Sequence, residues 1–372
     1  MERGLIVEID LQAVSSNFRV IRQMTAGRPV IAVVKADAYG HGAVRVSKKL
    51  ADDGVEYLAV AFMDEARQLR QAGIVLPIIV LFDTDVSQAF EYEVTPVAAT
   101  MKTAVDLSRE AERRGRQIKI HIKVDTGMGR FGFKAPVLKD ISEISRLKGI
   151  TIEGVMSHFS EADLSDRSFA HSQIHAFTKL RDELAASGLI IPLYHLANSA
   201  GVMALPESHF DAVRPGIMLY GSLPFASVSN HLPELKPVMS VKARMLSVRR
   251  LPAGTPISYG RTFVTSRESL IGVMAAGYAD GFNRLFSNNA EVLVRGRRAP
   301  VVGRVCMDVT MIDVTDIEGV SESDDVIVIG SQGDESISAA ELAQQSGTIP
   351  YEVMLSIGNR ARRLYTGTEI GK

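Results

Sequence analysis

Val30-Ile31-Ala32-Val33-Val34-Lys35-Ala36-Asp37-Ala38-Tyr39-Gly40-His41-Gly42-Ala43-Val44-Arg45-Val46-Ser47-Lys48-Lys49-Leu50 carries two periodicities in one short span. The first five residues form an unbroken apolar run, as in a strand buried on both faces. In the last eight, Ala43, Val46 and Leu50 share one helical face with charges opposite, and Gly54 stands where the helix would stop. The same strand-then-helix unit recurs. Apolar runs lie at 57–61, 76–81, 94–98, 118–124, 152–156, 193–196 and 212–213, and amphipathic stretches at 64–73, 103–115 and 167–188. Eight alternating strand candidates predict an α/β fold closed as a (β/α)8 barrel, because such barrels take about 250 residues. A doubly wound open sheet is the rival.

Near residue 223 the texture changes. Pro224, Pro233 and Pro237 mark a boundary. Beyond it, 238–246, 270–276, 290–294, 307–314 and 326–329 read as strands between Gly, Asn and Asp turns, with one helix at 338–345. The expected organisation is a barrel over residues 1–235 and a mostly β domain over 236–372, with the first strand free to join the β domain.

Composition narrows the function classes. The 372 residues hold 42 Lys+Arg against 43 Asp+Glu, a formal net charge of −1, so the basic excess of a nucleic-acid binder is absent. No run approaches the roughly 18 apolar residues of a membrane span. Glu8 and Asp10 break any signal-like apolar start, and Cys306 is the only cysteine, so no intrachain disulfide is available. A cytoplasmic protein is expected. No H-E-x-x-H, cysteine pair, G-x-G-x-x-G after a strand or G-x-x-x-x-G-K occurs, so neither a metal site nor these nucleotide loops is predicted.

In a barrel of this kind the active site lies at the carboxyl ends of the strands. Lys35 ends a buried run, and desolvation there lowers an amine's pKa and suits it to Schiff-base chemistry. The ordinary alternative is a lysine that snorkels to solvent. After the seventh strand comes Asn198-Ser199-Ala200-Gly201, and after the eighth Arg214-Pro215-Gly216-Ile217. Hydroxyls and glycine N–H groups at those two positions point to a phosphate. Arg214 is left three roles: a phosphate contact, a structural carboxylate partner, or a contact elsewhere on the ligand. His158 reads as a wall residue. Lys123, Asp125 and Arg130 read as a surface turn with a local ion pair. Tyr259 and Tyr278, in glycine-flanked turns, read as packing residues. These residues fit a pyridoxal 5'-phosphate (PLP) enzyme or a lysine aldolase, and do not choose between them.

The stretch 32–42 resembles the PLP-attachment segment of the alanine racemase family. The likeness continues at Lys123-Val124-Asp125-Thr126-Gly127-Met128-Gly129-Arg130, Ser157-His158-Phe159, Arg214-Pro215-Gly216-Ile217-Met218-Leu219-Tyr220-Gly221, Ser258-Tyr259-Gly260, Gly277-Tyr278-Ala279-Asp280-Gly281, Gly303-Arg304-Val305-Cys306-Met307-Asp308 and Tyr351-Glu352. The resemblance spans nearly the whole chain in order. It implies an N-terminal barrel, a C-terminal β domain, and a head-to-tail homodimer with shared active sites. It further implies two-base racemisation of alanine, supplying D-alanine for peptidoglycan.

Residue by residue, Lys35 resembles the lysine that holds PLP covalently and, once freed, takes the α-proton of D-alanine. Tyr259 of the partner subunit would serve the L-enantiomer from the opposite face. A free phenol titrates near 10, so a tyrosine in that role depends on its neighbours. Arg214 would face the pyridine nitrogen, where a permanent donor keeps that nitrogen unprotonated. The resemblance assigns His158 to the cofactor ring, and Tyr39, Ser199, Gly216, Ile217 and Tyr351 to its phosphate. Arg130 and the backbone of Met307 would bind the substrate carboxylate. Lys123 matches a position carbamylated in some members. Arg360-Ala361-Arg362-Arg363 departs from the pattern by lacking a proline between the arginines. A serine or broader-range racemase, a non-catalytic PLP carrier and a lysine aldolase are the competing readings. The β domain and Tyr259 weigh against the carrier; Arg214 and the second-domain matches weigh against the aldolase.

Overall fold

A computed structural model describes residues 4–225 and 233–367. It divides into two compact units, one of Met1–Ala13, Tyr39–His41 and Pro237–Lys372, the other of Val14–Ala38 and Gly42–Lys236. The opening strand β1 (Leu5–Asp10) lies in the first. The second is built on β2 (Ile31–Val33), β3 (Tyr57–Val60), β4 (Ile78–Val80), β5 (Thr95–Ala98), β6 (Ile118–Asp125), β7 (Phe133–Lys134), β8 (Ile150–Met156) and β9 (Leu193–His195). These pair in parallel in the order β2-β3-β4-β5-β6-β8-β9, with β7 attached to β6.

The eighth stave is two bridges long. Val213 pairs with Val30 and Ala212 with His195, both in parallel, and Ile31 N–H donates to the Val213 carbonyl at 2.8 Å. Pro215 has no N–H to give the next rung, though its carbonyl accepts the Val33 N–H at 3.1 Å. That short segment joins β9 to β2 and closes the expected (β/α)8 barrel. Helices at Ala43–Asp52, Met63–Gln71, Met101–Arg114 and Ser168–Ala186 stand close to where the amphipathic stretches put them. Met101–Arg114 shows why. The Thr100 hydroxyl accepts the Thr103 N–H at its start, Gly115 closes it at φ 61, and Ala104, Leu107 and Ala111 are buried. Burying a leucine such as Leu107 contributes about 1.5–3 kcal/mol.

One strand carries more than its apolar residues. Residues 118–124 are a strand buried on both faces over 120–124, as read, but the chemistry of β6 alternates. Ile118, Ile120, Ile122 and Val124 form one face. Lys119, His121, Lys123 and Asp125 form the other, which looks into the barrel.

In the other unit β1 runs antiparallel to Met239–Leu251 and parallel to Arg362–Thr366. Of the strand read at 307–314, Thr310–Asp313 is strand and 307–309 is loop. Strands Arg297–Pro300, Glu335–Ile337 and Arg362–Thr366 and the helix Pro350–Ser356 have no counterpart in the sequence reading. Their charged residues hide a two-residue period, and seven residues are too few for a helical one. The 360–363 departure leads straight into a strand: Arg360 Nη1 donates to Asp308 at 3.1 Å and Arg362 pairs with Ile6.

Candidate active site

Lys35 is separated from the end of β2 by one residue, and the backbone then makes an unusual turn. Ala36, Asp37, Ala38 and Tyr39 all have φ between 51 and 55°. Left-handed backbone costs a non-glycine residue about 1–2 kcal/mol, so surrounding bonds must hold it. Glu65 accepts the Ala36 N–H at 2.5 Å, the Asp37 carboxylate accepts the Ala43 N–H at 2.7 Å, and the Asp37 carbonyl accepts that of Gly42 at 2.8 Å. The Lys35 amine lies 5.5 Å from the centre of the Phe82 ring, with the Arg130 guanidinium 5.3 Å from the same ring. Burial first, and the Arg130 charge second, lower the Lys35 pKa, with Glu65 opposing. The neutral, nucleophilic amine is therefore favoured relative to a free lysine.

Arg214 sits on the barrel axis side of the last stave, 4% exposed. Its Nη1 donates to His195 Nδ1 at 2.7 Å and to the His195 carbonyl at 2.8 Å. Its Nη2 donates to the carbonyls of Ser157 at 2.5 Å and Leu196 at 3.2 Å and lies 3.3 Å from His158 Nδ1. Of the three roles left open, a structural carboxylate pair is the one it does not fill. Burial pushes the guanidinium down to about 9, so it remains charged at neutral pH. Burial, then Arg214, Lys123, Arg130 and Lys35 in turn, hold His158 well below the usual histidine range and hence neutral.

The reading of Lys123 as part of a surface ion pair is corrected by the structure. Lys123 is 5% exposed because it lies on the inward face of β6. Burial, Arg214 and Arg130 all lower its pKa, with Asp125 opposing. Asp125 builds the loop that follows. Its Oδ1 accepts the N–H groups of Gly127 at 3.0 Å and Met128 at 2.8 Å, and its Oδ2 that of Gly129 at 2.9 Å. Burial would raise this carboxyl, but those bonds and Lys123 outweigh it and leave its pKa lowered.

At the last two staves Ser199 Oγ accepts the N–H of Gly216 at 3.0 Å and of Met218 at 3.4 Å. The Gly216 N–H, expected to meet an oxyanion, is thus committed to Ser199. Two donors remain there: the Ser199 hydroxyl proton and the buried Ile217 N–H, which makes no hydrogen bond among the described residues.

Tyr39, Tyr259, Met307 and Tyr351 belong to the other unit. Tyr39 and Tyr351 stack at 5.7 Å. Burial, then Tyr351, raises the Tyr39 pKa, so its phenol stays protonated as a donor. Tyr259 is 70% exposed, against the reading of it as a packing residue, and Tyr278 is 43% exposed. Ser258, at φ 63, anchors the Tyr259 turn by donating its hydroxyl to the Arg304 carbonyl at 2.6 Å. The Met307 carbonyl accepts the Ala279 N–H at 3.0 Å, while its own N–H has no partner among the described residues. A side chain at Gly277 would place its Cβ 2.3 Å from that carbonyl, so the turn admits only glycine.

Two buried histidines and a glutamate escaped the sequence reading. His121 Nδ1 lies 2.7 Å from His195 Nε2, and both rings are fully buried. Their signal was legible in Ile118-Lys119-Ile120-His121-Ile122-Lys123-Val124-Asp125, whose polar residues recur every second position. Gly154 makes room for them: a Cβ there would sit 2.7 Å from the His121 ring. Gly154→Ala is expected to cost about 1–3 kcal/mol by overpacking, read as a shift in the urea midpoint at unchanged slope.

The barrel mouth therefore gathers Lys35, Lys123, Arg130 and Arg214 around a neutral His158. This charge balance fits PLP, with its phosphate and phenolate, and a substrate carboxylate. A buried cation without a carboxylate partner and two free donors beside Ser199 are what such a ligand would satisfy. Fold and site together define a barrel of the PLP-binding class.

The comparisons name the family. The model for "Alanine racemase, N-terminal domain" matches residues 9–224, and that for "Alanine racemase, C-terminal domain" residues 238–365. The alanine racemase of Thermodesulfovibrio yellowstonii is 50% identical over 369 residues, 98% of each chain. Alanine racemase 2 of Caldanaerobacter subterraneus subsp. tengcongensis is 46% identical, covering 96% of this chain and 94% of its own. Among solved structures, alanine racemase from Bacillus anthracis with bound L-Ala-P superposes with a TM-score of 0.89 at 36% identity, covering 100% and 97% of the two chains. That from Bartonella henselae with covalently bound pyridoxal phosphate gives 0.88 at 30%, covering 97% and 99%. The chain belongs to the alanine racemase family.

Proposed function

We propose that Lys35 and Tyr259 are the two bases with which this chain, a PLP-dependent alanine racemase, interconverts L- and D-alanine. When bound, PLP supplies an electron sink that acidifies the substrate's Cα–H. Lys35 holds the cofactor and, once displaced by substrate, its amine takes the α-proton of D-alanine. The observation that carries this reading is the placement of the Lys35 amine at the carboxyl end of β2, against the Phe82 ring that the Arg130 guanidinium also faces; burial and that charge favour the neutral amine a base requires. Loss of the proton leaves the α-carbon planar, so a second base on the other face returns a proton with inverted configuration. Tyr259 fills that role for the L-enantiomer.

The remaining residues hold and exclude. Arg214 would face the pyridine nitrogen as a donor with no proton to give up, which would limit charge build-up on the ring and disfavour transamination. His158 packs near the ring. Tyr39, Ser199, Gly216, Ile217 and Tyr351 form the phosphate seat, Gly216 acting through Ser199 Oγ. Arg130 and the Met307 N–H receive the substrate carboxylate.

Tyr259 and Met307, 70% and 53% exposed, serve the partner's barrel in a head-to-tail homodimer, so that residues 236–372 complete the partner's site. The enzyme works in the cytoplasm, where its D-alanine feeds peptidoglycan synthesis. Among the described residues no helix is long and apolar enough to cross a membrane.

The test is L-alanine with enzyme and PLP in D₂O, followed by chiral chromatography and mass spectrometry, with L-serine and L-lysine in parallel. The expected result is D-alanine bearing deuterium at Cα, formed much faster than the other D-products. Equal rates with serine would overturn the substrate assignment and keep the fold. No exchange despite bound PLP would leave only a carrier.

A further inference from the structure

A row of side chains runs from Arg214 down the inside of the barrel, and nothing assigned above uses its far end. Arg214 Nη1 meets His195 Nδ1 at 2.7 Å, His195 Nε2 meets His121 Nδ1 at 2.7 Å, and His121 Nε2 faces Glu153 Oε2 at 3.4 Å. Lys119 Nζ donates to Glu153 Oε1 at 2.8 Å. The two rings are fully buried and Glu153 is 8% exposed.

The ends of the row dictate what lies between. A guanidinium only donates, so His195 must present a bare Nδ1 and carry its proton on Nε2. That proton requires a bare Nδ1 on His121, whose own proton is then on Nε2, aimed at the carboxylate. An ionised carboxylate only accepts, so the series terminates without a conflict. The last link is longer than an ordinary hydrogen bond. Neither His121 Nε2 nor Glu153 Oε2 has a hydrogen-bond partner among the described residues, so each depends on the other.

The charges agree with this order. Burial, then Arg214, His121 and Lys123, lower the His195 pKa, and burial dominates at His121 although Glu153 opposes it. Both rings are thereby neutral. Burial works to raise the Glu153 carboxyl, but the Lys119 ammonium and the facing His121 outweigh it and leave it lowered. Gly154, beside Glu153 on β8, leaves room for the His121 ring, which a Cβ there would meet at 2.7 Å.

We infer that Glu153 is a positioning residue for racemisation: through His121 and His195 it fixes the proton order that lets Arg214 donate at the cofactor. The inference rests on the reading of Arg214 as the residue facing the pyridine nitrogen. If Glu153 lost its accepting oxygen, the His121 proton would be stranded and would move to Nδ1. His195 would then need a bare Nε2 and a proton on Nδ1, directly opposing an Arg214 N–H. Arg214 would lose one of its bonds and part of its fixed orientation.

Long-range ¹H–¹⁵N correlation on the wild-type holoenzyme reads the tautomers directly, without reference to activity. Both histidines are expected as Nε2–H. Finding Nδ1–H on either would overturn the inference. Glu153→Gln keeps an accepting oxygen and should retain both tautomers, while loss of the charge shifts the His195 ¹⁵N resonances and the absorption band of bound PLP. Glu153→Leu should invert His121, move that band further, and lower kcat by roughly 10-fold at unchanged alanine KM. Should the leucine variant not fold, the glutamine variant decides: resonances and band both identical to wild type would show a merely structural row. A leucine variant that lowers Tm yet leaves tautomers, band and kcat alone would show the same. Because the tautomers are read without turnover, an inactive wild type would overturn the racemase reading separately.

Discussion

A Tyr259→Phe variant is expected to lose about 10²–10⁴-fold in kcat, the usual worth of one general acid–base group, while PLP stays bound. The phenyl ring preserves shape in an exposed turn, and Ser258 still anchors that turn through the Arg304 carbonyl, so folding should be unaffected. With L-alanine in D₂O the variant should lose α-proton exchange. With D-alanine it should still exchange deuterium slowly without inversion, since Lys35 can remove and return the proton on its own face. Inversion at the wild-type rate would remove Tyr259 from the mechanism. Mixing Tyr259→Phe with Lys35→Ala protein then tests the shared site. In a head-to-tail dimer, statistical exchange of subunits leaves roughly a quarter of all sites intact and restores that share of activity. Sites complete within one chain would gain nothing from mixing.

Lys35→Ala should be the more severe change, because one side chain both tethers the cofactor and acts as a base. A loss of at least about 10⁴-fold is expected. The informative readout is the cofactor. Wild-type enzyme treated with borohydride should carry PLP permanently on Lys35, whereas the variant should release all of it on gel filtration after the same treatment. Retention of covalently fixed PLP by the variant would point to Lys123, the other buried amine at the mouth, whose pKa burial, Arg214 and Arg130 lower well below the usual lysine range. The Ala36–Ala38 turn is held by Glu65, Asp37 and backbone bonds, none of which involves the Lys35 amine. The variant should therefore keep the wild-type melting profile of its cofactor-free form.

Much of the architecture was legible because it rests on local periodicity. A continuous apolar run followed by residues spaced three and four apart names a β/α unit whatever lies around it, and the eight strand positions were found together with four of the helices. Where charge interrupts period, reading failed. The strands at Arg297–Pro300 and Arg362–Thr366 mix arginines with apolar residues. The site divides the same way. Lys35, Ser199 and Arg214 were found because each stands at the end of a strand, the position where barrels keep their chemistry. Lys123 was taken for a surface residue because burial is a property of the surroundings and not of the residue.

Sequence by itself determined that this chain is a β/α series followed by a β domain, with a lysine ending the first buried strand and hydroxyl- and glycine-bearing loops after the last two. Motif resemblance supplied the family. Only the tertiary structure decided what those residues experience. Arg214 has carbonyls and imidazoles, not a carboxylate, for partners, and it does so because Ser157, His195 and Leu196 come from other staves of the closed barrel. His121 and His195 are 74 residues apart and meet only because β6 and β9 flank the strand that carries Gly154. Periodicity is a property of neighbours along the chain. Desolvation, charge and proton order depend on neighbours in space, and barrel closure is what sets them.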